Sequence, residues 1–197
     1  MKSDAYVLGF DTSAAHCAAA LLFGDRLIAA RSEAMIRGQA ERLFPLLEEV
    51  LAAGGVSWSD LSALGVGIGP GNFTGIRIGV SAARGLSLSL GVRAVGVSLF
   101  EVIGHEASGT HLAAVEGPRD HVYVQPEGGV ATLVPRAEAD AMGLRLAFAP
   151  GAARIAEVIA QIAGASGPVA APKPLYLKAA DAAPARDKPP VVVDDLA

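Results

Sequence analysis

Cysteine is almost absent: Cys17 is the only one in 197 residues. No disulfide can form within the chain, and a four-cysteine zinc site is excluded. A reducing compartment suits such a chain, so a cytoplasmic location is expected. Lysine is scarce as well, at Lys2, Lys173, Lys178 and Lys188 only, and the arginines form no run. The formal net charge is -4. Neutralising phosphates takes clustered basic side chains, so tight nucleic-acid binding by the chain alone is not expected. Long hydrophobic runs are missing too. Residues 1–10 lack the basic start and apolar stretch of a signal peptide. No run approaches the roughly 18 residues of a membrane span, so no membrane association is expected. His16, His105, His111 and His121 do not have the spacing of a helical metal site. No G-x-S-x-G elbow is present, and Cys17 lies in an apolar stretch where an inert core thiol is expected. No metal or cofactor is therefore expected.

Aromatic residues make up 5% of the chain while hydrophobic residues reach 52%, with 23 glycines. Much of the apolar content is thus small, and close backbone packing is expected. Tyr6 to Phe10, His16 to Phe23 and Arg26 to Glu33 read as three tightly joined strands, with Gly24-Asp25 as a turn. Leu43, Leu46, Leu47, Val50 and Leu51 then follow a helical repeat, ended by Gly54-Gly55. Pro45 inside it predicts either a start near Phe44 or a kink. A buried strand over Ala63 to Ile68 runs into a glycine-rich loop. A helix over Ile76 to Leu90, a strand over Arg93 to Val97 and a helix over Leu99 to Ala107 follow. The order β-β-β-α-β-α-β is that of one half of an actin-like α/β fold (ASKHA, ribonuclease H-like), a mixed sheet flanked by helices.

The remainder is thinner. A hairpin around Gly117-Pro118-Arg119-Asp120, helices over Arg136 to Met142 and Ala152 to Ile162, and a short strand at Leu175-Tyr176-Leu177 are expected. The expected organisation is a first lobe over 1–104, a reduced second lobe over 105–178 and an extended tail over 179–197. That tail holds three prolines and several charges.

The glycine-rich loop is the strongest motif. Gly69, Gly71 and Gly75 lie between a strand and a helix, where backbone N–H groups can hold an anion. No lysine follows, so it is not a Walker A loop, and Thr74 stands where a dinucleotide fingerprint needs glycine. The alternative is a tight turn that lets the helix pack hard on the sheet. Asp11 and Thr12 at the end of the first strand, Gly69, Gly71 and Thr74 in the loop, and Arg77 one turn into the helix are the candidate anion or nucleotide contacts. Arg77 could equally hold a neighbouring carboxylate. Gly79 and Ala83, beside Ile76 and Val80, give the second helix a smooth face. It suits either a tight core or a helix–helix interface.

Gly67-Ile68-Gly69-Pro70-Gly71-Asn72-Phe73-Thr74-Gly75-Ile76-Arg77-Ile78-Gly79 closely resembles the signature G-x-G-P-G-S-F-T-G-L-R-I-G of the TsaB family. Gly9-Phe10-Asp11-Thr12-Ser13, Gln39-Ala40-Glu41-Arg42-Leu43-Phe44-Pro45, Val95-Gly96-Val97-Ser98-Leu99 and Pro174-Leu175-Tyr176-Leu177-Lys178 agree in order. The resemblance covers about residues 5 to 180. Asn72 departs from the usual serine, and Glu116-Gly117-Pro118-Arg119 stands where the family reads I-D-A-R. The resemblance implies a non-catalytic scaffold subunit rather than an enzyme. Its partner would be a TsaD-like catalytic subunit, joined by a TsaE-like ATPase. The complex would place threonylcarbamoyl on a tRNA adenosine, with tRNA met only through the complex. It further implies pairing through the first two helices, with Leu43, Leu46, Leu47, Val50, Ile76, Gly79, Val80 and Ala83 as the expected interface, and a homodimer through the same helices as a variant. The competing reading is a stand-alone actin-like ATPase or small-molecule kinase using Asp11, the glycine loop and Arg77.

Overall fold

A computed structural model of the chain describes residues 4–167 and 169–177. The expected tail over residues 179–197 lies outside the described residues. Strands β1 (Tyr6–Asp11), β2 (His16–Phe23) and β3 (Arg26–Ala34) form the expected antiparallel meander. β4 (Leu61–Gly67) and β5 (Arg93–Val97) join β1 in parallel, giving a mixed sheet of order β3-β2-β1-β4-β5.

Helix α1 (Gln39–Gly54) connects β3 to β4 and continues through Pro45. The ring leaves the Glu41 carbonyl without its helical donor, but Glu41 lies on the exposed side, where water can serve it. The helix therefore starts earlier than expected. Gly55, with φ 64°, closes it by returning its N–H to the carbonyls of Ala52 and Leu51. Arg42 ties α1 to β3, donating to Glu33 from Nε at 2.8 Å and to Glu49 at 2.8 Å. Those hydrogen bonds hold both carboxyls below the usual glutamate range.

Each sheet face takes a different kind of helix. On one face Leu8, Phe10, Leu21, Leu64 and Val66 pack against α1 and against Ala83 of α2 (Phe73–Leu90). This is a core of ordinary bulky side chains. On the other face, Ala20, Gly9 and Gly65 sit side by side in register across β2, β1 and β4. Helix α5 (Ala152–Ala165) lies directly on that row, presenting Ala156 and Ala160. A Cβ on Gly9 would meet the Ala156 carbonyl and come within 2.6 Å of the Ala160 nitrogen; one on Gly65 would come within 2.7 Å of the Ile159 carbonyl. The small-residue composition is thus a requirement for backbone approach between helix and sheet.

A second sheet, β8-β7-β6-β9, is built from β6 (Leu112–Glu116), β7 (His121–Gln125), β8 (Thr132–Pro135) and β9 (Leu146–Ala147). Helix α4 (Arg136–Ala141) packs on β7 and β8. Helix α3 (Leu99–Glu106) bridges the two parts, packing on β6 and α5. Arg154 of α5 holds Glu106 of α3 at 2.8 Å. Thus α5, although it falls within the stretch 105–178, belongs spatially to the first sheet. Leu175 forms no strand; its N–H donates to the Ile68 carbonyl at 2.9 Å, laying the segment beside the end of β4. The mixed first sheet with its helices is the actin-like α/β arrangement.

Gly9→Ala is expected to cost about 1–3 kcal/mol, because the atoms it meets are backbone and cannot swing aside. Gly85→Ala on α2, where a Cβ meets nothing within 4 Å, should instead gain about 0.5–1 kcal/mol. Urea unfolding of both variants against the unaltered chain checks the pair.

Candidate functional site

β1 delivers Asp11 to the end of the sheet with its side chain fully buried. Oδ2 accepts from the Ser13 N–H at 3.1 Å and the Ser13 hydroxyl at 3.0 Å, and lies 2.7 Å from His16 Nε2. Among the described residues Oδ1 has no hydrogen-bond partner. It lies against Gly67, where any Cβ would collide with it. In the sequence His16 reads as the start of a strand and as one of four histidines without metal-site spacing. The pairing arises because β1 and β2 turn back tightly, and no spacing motif signals it.

The glycine loop sits directly above. Ser13 O accepts from the Asn72 N–H at 2.6 Å and occupies the space a Cβ of Gly71 would need. Thr12 donates its hydroxyl to Gly75 O at 2.7 Å, and the Thr12 carbonyl fills the space above Gly75. Gly69 adopts φ 93° and accepts from the Leu99 N–H at 2.9 Å. Asn72 caps α2: its side-chain oxygen accepts from Gly75 N–H at 2.9 Å and its carbonyl from Ile76 N–H at 2.9 Å. The structure therefore brings Asp11, Thr12, Gly69 and Gly71 together, but in contacts of the chain with itself. Thr74 is exposed on the first turn. Arg77 turns away from Asp11; its guanidinium stacks 3.9 Å from the Phe73 ring centroid, and Nε donates to the Tyr176 hydroxyl at 2.8 Å. The tight-turn reading of the loop accounts for these contacts without an anion.

The expected interface positions also lie inside the chain. Leu43, Leu46, Leu47 and Val50 are fully buried, as is Ala83, with Ile76 and Val80 almost so. A Cβ on Gly79 already lies 2.8 Å from Thr12 Oγ1. Within the single chain both helices turn these apolar residues toward the sheet, and Leu43 also reaches the groove between them. What α1 and α2 leave outward is a groove of about 470 Å³ between them, whose lining includes Leu43 and Phe44 of α1 and Ile78, Ala82, Gly85 and Leu86 of α2. Phe44 is 44% exposed at its wall and Leu88, one turn beyond, is 88% exposed. The signal was present in the sequence as the apolar residues flanking each stripe.

Cys17 is fully buried, and burial pushes its thiol up to about 11. It is inert core. At the atypical hairpin, Arg119 and Asp120 both adopt positive φ (54° and 58°) in a two-residue turn, and Glu116 is held by Arg136 at 2.6 Å.

Asn72→Ala should cost about 1 kcal/mol through the lost cap, and Asn72→Ser should recover most of it. Thermal unfolding midpoints of the two variants test this. Equal midpoints would mean that the Gly75 N–H finds another acceptor.

Comparison with known proteins agrees with this geometry. The family model described as TsaD, tRNA N6-adenosine threonylcarbamoyltransferase, matches residues 33–147. The tRNA threonylcarbamoyladenosine biosynthesis protein TsaB of Escherichia coli is 34% identical over 122 residues, covering 59% of this chain and 52% of that protein. Its Haemophilus influenzae counterpart is 31% identical over 123 residues, covering 59% and 51%. The chain thus spans about half the length of the curated relatives it matches. A Pseudomonas aeruginosa structure described as similar to peptidase YEAZ superposes with a TM-score of 0.71 at 24% identity, covering 88% of this chain and all of that one. That likeness supports the fold. With more than half its length matched, the chain belongs to the TsaD family of tRNA N6-adenosine threonylcarbamoyltransferases, on the TsaB/YeaZ branch.

Proposed function

We propose that the chain acts in tRNA threonylcarbamoyladenosine biosynthesis as a non-catalytic partner subunit that docks a TsaD-like transferase through the α1–α2 groove. A TsaE-like ATPase would join the pair, and tRNA would be met only through the assembled complex. The observation that carries this reading is the apolar groove walled by Phe44 and Ile78, on a chain whose glycine loop spends its contacts on itself. An apolar groove on an otherwise polar helix face suits a partner. The electrostatics fit a role away from RNA. The formal net charge is -4, and Arg42, Arg136 and Arg154 are each held by carboxylates, which weakens their hold on phosphates. Among the described residues no helix is long and apolar enough to cross a membrane, and we take the cytoplasm as its place of action.

Under this reading Phe44→Glu and Ala82→Glu place a charge in the groove without entering the core. Each should weaken association with a TsaD-like partner by about 2 kcal/mol or more, roughly 30-fold. Titration calorimetry measures the affinity, and circular dichroism checks that the variants stay folded. Undiminished affinity in both folded variants would exclude the groove as the contact. Loss of self-association instead, read by light scattering, would assign the groove to a homodimer. ATP turnover by the isolated chain that vanishes in Asp11→Ala would favour a stand-alone ATPase instead.

A further inference from the structure

Arg42, Arg136 and Arg154 spend their guanidinium groups on carboxylates of this chain. Arg77 does not. It lies exposed near the start of α2, and no carboxylate among the described residues pairs with it. Its guanidinium is nonetheless held in place. It stacks 3.9 Å from the centroid of the Phe73 ring, and Nε donates to the Tyr176 hydroxyl at 2.8 Å. Tyr176 is held in turn: its ring lies 4.8 Å from that of Phe73, and the N–H of the preceding Leu175 donates to the Ile68 carbonyl at 2.9 Å. What remains open is the edge formed by the two Nη nitrogens, which have no partner among the described residues. Such an edge can bind a carboxylate through two parallel hydrogen bonds. None of these three side chains lines the cavity of about 470 Å³ where the two sheets meet.

Ordering a long side chain normally offsets much of what an exposed arginine contributes to an ion pair. Here the aromatic pair has already ordered it. The position of Arg77 is also informative. Ile78 follows it and Ser81 lies one turn further along, and both line the α1–α2 groove. A partner seated in that groove therefore has Arg77 at its edge. The charges of the two helices say which anion fits. α2 carries no aspartate or glutamate, whereas α1 exposes Glu41 and Glu48. RNA laid across this face would meet those carboxylates and a chain of net charge -4. A single protein carboxylate placed over α2 avoids both. We propose that Arg77 anchors an aspartate or glutamate of the partner docked in the α1–α2 groove, with Phe73 and Tyr176 as the residues that position it. This rests on the docking reading above and adds its polarity: the partner presents its acidic side to α2.

The test is calorimetric titration of the TsaD-like partner with the full chain at low and high salt, with circular dichroism as the folding check. Arg77→Gln should weaken association about 10- to 100-fold, the range for a hydrogen bond to a charged group. Arg77→Lys keeps the charge without the fork and should restore only part of the loss. Tyr176→Phe keeps the stack but removes the acceptor, and should weaken association about 2- to 10-fold. Salt separates an anchor from a merely structural role. Affinity of the unaltered chain should fall with added salt, and Arg77→Gln should flatten that dependence. Phe44→Glu is titrated alongside. A loss in Phe44→Glu with none in Arg77→Gln would overturn the anchor and leave the groove as the contact. No loss in either would overturn both. An unchanged salt dependence in Arg77→Gln would overturn the anchor as well. So would an unchanged partner affinity with weakened tRNA binding by the complex, which would assign the guanidinium to a phosphate.

Discussion

Helix α5 rests its backbone on Ala20, Gly9 and Gly65. Helix and sheet come this close because the sheet row is glycine and alanine, which admits the α5 backbone, Ala160 and the Ile159 side chain, and the energy comes from dense van der Waals contact. The remainder of the molecule is arranged around that contact. α5 follows β6 to β9 in the chain and returns to pack across the first sheet. In doing so it pins α3 through the Arg154–Glu106 pair, and α3 in turn packs on β6. The second sheet is thus held in place by an element that belongs to the first.

The glycine loop repeats the principle at the end of β1. Gly71 and Gly75 are open because the carbonyls of Ser13 and Thr12 occupy the space their side chains would take. An anion-binding loop needs its amides turned outward and unoccupied. Here Asn72 N–H goes to Ser13 and Gly75 N–H to the Asn72 side chain. The loop therefore fixes the position of α2 against β1. That is what a docking surface needs: the outer face of α2 is held at a set height above the sheet, with α1 alongside it.

Much of the first sheet was readable in the sequence because its elements are local. The meander, the strand after α1 and the strand after α2 each have turn residues and apolar runs within a few positions. The second sheet was less readable. β8 is four residues and β9 only two, too short for a periodic pattern to declare itself. The placement of α5 was not readable, since an alanine-rich helix looks the same whether it covers its neighbours or a sheet over a hundred residues earlier. The stripe on α1 was ambiguous for a related reason. Apolar periodicity shows that a face is buried, but not against what. Leu43, Leu46, Leu47 and Val50 meet the sheet, and Phe44, one position off the stripe, is left at the surface. The Asp11–His16 pair likewise depends on how tightly β1 and β2 turn, which no motif encodes.

α2 joins the two open features of the molecule. Its cap residue Asn72 and the preceding Gly71 line the cavity between the sheets, while Ile78, Ala82 and Gly85 line the groove beside α1. Its inner face, at Ile76, Gly79, Val80 and Ala83, is fully engaged with the sheet. A helix so constrained cannot rotate without pressing Gly79 into Thr12, whose hydroxyl would come within 2.8 Å of any added Cβ. The outward residues of the groove keep a fixed orientation, set by the same Thr12 and Ser13 carbonyls that close the glycine loop.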